Sequence, residues 1–110
     1  MTGPKTISEL MTLGMEKCKK GNYNSAIIYL NKAIEIDPND CRFHISRGTI
    51  KAKENHEGAI DDYTKAIELF PNKPNKAYLH NYRAESKRKL GDKEGADEDD
   101  RKAEKLKNIF

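Results

Sequence analysis

The stretch Asn31-Lys32-Ala33-Ile34-Glu35-Ile36-Asp37-Pro38-Asn39 returns as Thr64-Lys65-Ala66-Ile67-Glu68-Leu69-Phe70-Pro71-Asn72. A duplication this close decides how the rest of the chain is to be read, because a fixed period of a few tens of residues marks stacked supersecondary units. Upstream of it, Gly21-Asn22-Tyr23-Asn24-Ser25-Ala26-Ile27 reappears in weaker form as Glu54-Asn55-His56-Glu57-Gly58-Ala59-Ile60. It appears a third time as Gly91-Asp92-Lys93-Glu94-Gly95-Ala96-Asp97. The alanines Ala26, Ala59 and Ala96 recur at intervals of 33 and 37 residues. Three units, about 7–40, 41–76 and 77–110, therefore fill the chain as a single expected domain over 1–110, with only Met1 to Thr6 outside them.

Inside each unit the apolar spacing is helical. Leu10, Leu13 and Gly14, with Met11, Met15 and Cys18, recur at steps of three and four until Lys19-Lys20-Gly21 stops the run. Ala26, Ile27, Leu30, Ala33 and Ile34 then line one face of a second helix that must end before Pro38. Thr6 with Glu9 fits a capping box, and Asn22, Asn55 and Asp92 stand where the second helix of each unit needs a cap. The spacing predicts six helices over 7–20, 23–36, 41–53, 56–69, 76–90 and 93–108, with no strand alternation. Gly14, Gly48 and Ala84, like Ala26, Ala59 and Ala96, are expected where paired helices approach closely.

Composition narrows the function. With 110 residues, 35% of them charged, and a net charge of +3 from interspersed Lys, Arg, Asp and Glu, charge alone does not indicate nucleic-acid binding. No apolar run approaches the roughly 18 residues of a membrane span, and no secretory leader is expected. Cys18 and Cys41 fit neither a metal motif nor a disulfide scaffold, so a cytoplasmic setting is the expectation.

The pattern resembles the tetratricopeptide repeat, whose signature is W-x2-L-G-x2-Y, then A-x3-F, then P. Unit one places Leu10, Leu13, Gly14, Lys17, Ala26, Leu30 and Pro38 at those positions. Unit two places His44, Arg47, Gly48, Lys51, Ala59, Tyr63 and Pro71 there, and unit three His80, Arg83, Ala84, Lys87, Ala96 and Asp100 without a closing proline. Unit two is one residue short between Gly48 and Ala59, and extra residues follow at Asn72-Lys73-Pro74-Asn75. The resemblance implies an all-α fold: an α-solenoid of three antiparallel helix–turn–helix repeats in a right-handed superhelix, with the first helices lining a concave groove. By position in the repeat, the groove residues are Met11, Met15 and Lys19, then Arg42, Ile45, Thr49 and Lys53, then Tyr78, Asn81, Tyr82, Arg88 and Lys89. Ser8, Thr12, Cys18, Ser46 and Glu85 share that face.

A non-enzymatic protein–protein interaction module is the expected function, with no catalytic residue, metal or cofactor. Its partner would be a peptide with apolar anchors for Met11, Met15 and Ile45 and an acidic flank for Arg42, Lys53, Arg88 and Lys89. The carboxylate clamp by which a subclass of the family binds chaperone tails falls here on Met11, Met15, Ser46, Tyr78 and Tyr82, so that mode is not expected. A secretion-type chaperone holding a client, or a weak nucleic-acid binder using a basic line of Lys17, Lys51 and Lys87, are the alternatives. A homodimer through exposed Ile7, Leu10 and Met11 also stays open. The carboxylates at Asp61-Asp62 and Asp97 to Asp100 are expected on solvated faces, since adjacent helix positions do not face each other. His44 and His80, at one repeat position, are expected to pack between helices. The last helix, polar but for Ala96, Ala103, Leu106 and Ile109 or Phe110, would cap the stack or offer an acidic surface to a basic partner.

Overall fold

Local signals set the helix boundaries. The Thr6 hydroxyl accepts a 3.2 Å hydrogen bond from the Glu9 N–H, and α1 runs Ile7–Lys19. Gly21 and Gly91 take positive φ, 79° and 88°, in the turns that follow the first helices of units one and three. Only glycine adopts such angles without strain. The computed structural model describes residues 5–71 and 73–108. After α1 come α2 (Tyr23–Ile36), α3 (Cys41–Lys51), α4 (His56–Leu69), a 3₁₀ turn at Pro74–Lys76, α5 (Ala77–Lys89) and α6 (Lys93–Asn108). No strand occurs among the described residues. The expected elements all form. The difference at α3 is that its regular bonding ends at Lys51, and the shortened connection closes through Asn55 N–H to the Lys51 carbonyl at 2.6 Å.

Each first helix packs on the second helix of its own unit, and each second helix packs on the first helix of the next. The result is elongated, 51 × 30 × 20 Å. Leu10, Ala33 and Phe43 form one buried cluster across units one and two, with Ile7, Met11, Tyr29 and Ile34 against it. Ala26, Leu30 and Ile50 form a second, with Met11, Cys18, Tyr23 and Ile27 alongside. Leu10 is only 2% exposed, which removes it from the apolar surface expected for a homodimer through unit one. At the other end Ala77, Ala103 and Leu106 close the last pair. Ile109 and Phe110, offered as inward residues, lie outside the described residues.

Two local expectations are corrected. Asn22 makes no side-chain cap to α2, whereas Asn55 and Asp92 accept from the Gly58 and Gly95 N–H groups at 2.9 Å. The close approach predicted for both glycines holds at one: a Cβ at Gly48 would meet Tyr63 Cε1 at 3.0 Å, while at Gly14 the nearest atom is 3.7 Å away.

Candidate functional site on the first-helix face

Two arrangements stand out, one buried and one exposed. The buried one begins at Asp62 and Asp99, which are 3% and 0% exposed. This overturns their expected place on a solvated face. In unit two the Arg47 guanidinium donates to both Asp62 oxygens, from Nε at 2.9 and 3.1 Å and from Nη2 at 2.7 Å. Its Nη1 donates to Asn31 Oδ1 on α2 at 2.7 Å. Lys51 Nζ lies 3.5 Å from Asp62 Oδ2. His44 Nε2 donates to the Pro38 carbonyl at 3.0 Å, and its Nδ1 faces the same carboxylate at 4.0 Å.

Unit three repeats the pattern. Arg83 clasps Asp99 through Nε at 2.9 Å and Nη2 at 2.6 Å, and its Nη1 donates to Thr64 Oγ1 on α4 at 3.0 Å. Lys87 Nζ is 2.9 Å and His80 Nδ1 3.3 Å from the Asp99 carboxylate. Burial alone would raise the Asp99 carboxyl, but hydrogen bonds from His80, Arg83 and Lys87 and the Arg83 charge outweigh it. They hold the group well below the usual carboxylate range. Each arginine thus binds its own unit's second helix and the second helix of the unit before it. Lys51 and Lys87 are drawn inward, so the basic line expected of Lys17, Lys51 and Lys87 does not form on the surface. The sequence signal was a repeated constellation, His-x2-Arg-x3-Lys followed by Ala-x2-Asp, carried by units two and three.

The exposed arrangement lies where α1 and α3 run side by side. Met11, Met15 and Cys18 from α1 and Ile45, Ser46 and Thr49 from α3 enclose an open cleft of about 260 Å³, floored by Leu30 and Ile50. Met15 stands at its rim, 58% exposed. A second hollow of about 410 Å³ continues toward Ile7, Ser8, Thr12, Arg42 and Phe43. Between α3 and α5 the equivalent space is filled. Tyr63 donates to Thr49 Oγ1 at 3.3 Å and packs against Tyr82 with ring centroids 5.8 Å apart. Tyr82 meets Tyr78 edge-on at 5.3 Å, and Tyr78 meets Phe70 at 6.4 Å. Burial raises the Tyr63 and Tyr78 hydroxyls, so both stay protonated donors.

The twelve residues expected in the groove therefore divide. Met11, Met15, Ile45 and Thr49 come together around the cleft. Tyr78 and Tyr82 form the aromatic shelf beyond it, with Asn81 half-buried beside them. Arg42 is committed to Asp40 at 2.6 Å and Arg88 to Asp97 and Asp100 on α6. Lys53 Nζ lies 5.6 Å from the Tyr23 ring centre. Lys19 and Lys89 are exposed and, among the described residues, form no ion pair. No group of three or more His, Cys, Asp or Glu side chains among the described residues is placed to hold a metal ion.

Stacked helix hairpins with an accessible face of first helices define the class: an all-α repeat solenoid. The family model for the tetratricopeptide repeat matches residues 8–40. Human tetratricopeptide repeat protein 28 is 34% identical over 65 residues, 58% of this chain. The chain spans about 3% of the length of that relative. A structure of MamA (MSR-1) superposes with TM-score 0.80 at 25% identity, covering 92% of this chain and 57% of that one. The second TPR of Spaghetti (RPAP3), bound to the HSP90 peptide SRMEEVD, superposes with TM-score 0.80 at 22% identity over 93% of both chains. Residues 8–40 thus match a tetratricopeptide repeat, and the chain is similar to tetratricopeptide-repeat proteins over the spans given. No helix among the described residues is long and apolar enough to cross a membrane.

Proposed function

We propose that the chain is a peptide-docking module: its first-helix face holds a segment of a partner protein, with one apolar side chain seated between α1 and α3. The observation that carries this reading is the cleft itself, an apolar opening of about 260 Å³ in a chain otherwise dense in charge. Burying a large aliphatic side chain there is worth about 1.5–3 kcal/mol, enough for one anchor of a moderate-affinity contact. Met11 and Met15 are unbranched and can re-pack around different occupants. The fold shared with the peptide-bound TPR of Spaghetti supports a peptide as occupant. The side chains differ from a carboxylate clamp, because Met11, Met15, Ser46, Tyr78 and Tyr82 stand at the clamp positions.

The test is selection of dodecapeptides from a random phage-displayed library, followed by binding to two variants. Thr49→Trp fills the cleft from its exposed rim, and Lys65→Trp alters the outer surface of α4. Selected peptides should lose about tenfold or more in affinity with the first and nothing with the second. Failure to enrich any peptide, or equal binding to both variants, removes the reading.

A further inference from the structure

The outward side of the second helices is polar in two units and partly apolar in one. Unit two places Asp61, Lys65 and Glu68 there, and unit three Glu98, Lys102 and Lys105. At the same positions unit one has Ile28, Lys32 and Glu35. Ile28 is 53% exposed and Ile36 54%, although the counterparts of Ile36 are the half-buried Leu69 and the buried Leu106. The steps 28, 32 and 36 form one i, i+4 ridge on α2. This ridge lies opposite the side that buries Ala26, Leu30 and Ala33, and so away from the cleft floored by Leu30. Ile36 borders an open hollow of about 350 Å³ with Lys32 and Glu35. The charges of the ridge are open as well. Lys65 closes on Glu68 at 3.9 Å in α4, and Lys102 on Glu98 at 3.3 Å in α6. Lys32 and Glu35, at the positions of Lys65 and Glu68, form no ion pair among the described residues, and Lys32 Nζ lies 5.8 Å from the Tyr29 ring centre.

We propose that this ridge is a self-association surface, on which two copies of the chain pair their α2 helices antiparallel about a two-fold axis at Lys32. Ile28 and Ile36 are equally far from that axis, so Ile28 of each copy meets Ile36 of the other and enters the hollow beside it. Glu35 lies three residues, about 4.5 Å, from the axis. Each Lys32 therefore reaches the Glu35 of the other copy, which relieves the repulsion between the two central lysines. An open cation and an open anion on one ridge complement a second copy of that ridge, whereas a partner of one charge sign satisfies only half of it. The route through Ile7, Leu10 and Met11 is a different one, and those residues belong to the first core cluster. One helix face buries well under the roughly 800 Å² per partner of a stable complex, so the dimer is weak and reversible.

Sedimentation equilibrium of the full chain from roughly 10 μM to 1 mM should show a reversible monomer–dimer equilibrium. Ile28→Asp gives α2 the residue type that α4 carries at this position, and should weaken association about tenfold or more while leaving the melting temperature near that of the wild type. Lys32→Glu and Glu35→Lys should each be monomeric alone, because each sets like charges across the axis. Mixed in equal amounts they should associate at least as well as the wild type. Mixing restores both opposite-sign pairs and replaces the facing lysines by a pair of opposite sign. A chain that stays monomeric at about 1 mM, or a dimer that survives Ile28→Asp, overturns the proposal. Charge variants that stay apart on mixing overturn the antiparallel pairing. A dimer lost with Thr49→Trp but kept with Ile28→Asp would assign self-association to the cleft instead.

Discussion

The first helix pair and the last are held together by different chemistry. In α1/α2 the positions of the buried constellation are Leu10, Leu13, Lys17 and Tyr29, of which Leu10 and Tyr29 join an apolar cluster. In α5/α6 the same positions are His80, Arg83, Lys87 and Asp99, and the contact is a charged clasp around one carboxylate. One backbone geometry accepts both solutions. The comparison shows how a chain with 35% hydrophobic residues still closes three helix pairs. Charge is placed inside where an arginine and a lysine close on each buried carboxylate, and apolar surface is left for the cleft.

The largest test of that contrast is Asp99→Ala. It leaves Arg83, Lys87 and His80 converging on no acceptor, and breaking such a buried pair costs about 3–5 kcal/mol. Tyr29→Ala, at the equivalent but half-buried position, should cost about 1–2 kcal/mol. Urea unfolding of both variants measures the difference, and equal losses would show the two interfaces to be energetically alike. Giving unit three the residues of unit one, His80→Leu with Arg83→Leu and Asp99→Tyr, should recover most of the loss, because a packed apolar set often replaces a buried ion cluster at little cost.

Acid should separate the interfaces next. The Asp99 carboxyl is held down in the folded protein, so it binds protons more readily when unfolded. Its contribution is fully present above the unfolded value of about 3.9 and fades as pH falls through the depressed folded one. Thermal unfolding of the wild type should therefore drop steeply below about pH 4. The His80→Leu, Arg83→Leu, Asp99→Tyr variant should lose less over the same interval. Parallel curves would mean that the clasp does not set acid stability.

A smaller effect separates Gly48 from Gly14. A methyl group at Gly48 meets Tyr63 at 3.0 Å and Asp62 Cβ at 3.1 Å, and neither can retreat: Tyr63 packs on Tyr82 and Asp62 is held by Arg47. Gly48→Ala should cost about 1 kcal/mol after its gain in helix propensity. At Gly14 nothing lies closer than 3.7 Å, so Gly14→Ala should stabilise by about 0.5–1 kcal/mol. Opposite signs in the two melting temperatures are the expected outcome.

Period and helix spacing were enough to place the helices, because Ala26, Ala59 and Ala96 and the apolar steps around them are direct consequences of how hairpins stack. The cleft was legible in part: Met11, Met15, Ile45 and Thr49 fall on one face by position alone. What escaped was pairing. A carboxylate next to another on a helix looks solvated, yet consecutive positions point about 100° apart, so Asp62 can be buried while Asp61 stays in water. The commitments of Arg42 and Arg88 also depend on which neighbour is within reach, Asp40 on one side and α6 on the other. Charge counts along a sequence do not contain that information.

The smallest contrast concerns the caps. Asn55 and Asp92 bond the N–H groups of Gly58 and Gly95, while Asn22, opposite Ser25 in unit one, makes no such bond. A Cβ at Gly58 would come within 2.7 Å of the Asn55 side-chain nitrogen, so the absence of a side chain there is what lets the cap sit as it does. Ser25 carries that carbon. Asn55→Ala should then cost about 1 kcal/mol and Asn22→Ala only a few tenths. Gly58→Ala should be nearly neutral, since the helix gain of about 1 kcal/mol offsets a displaced cap of similar worth. In that background Asn55→Ala should cost nothing further, a non-additivity that melting of the single and double variants would reveal. Additive losses would show that the Asn55 side chain moves aside and keeps its bond, leaving some other cause for the missing cap at Asn22.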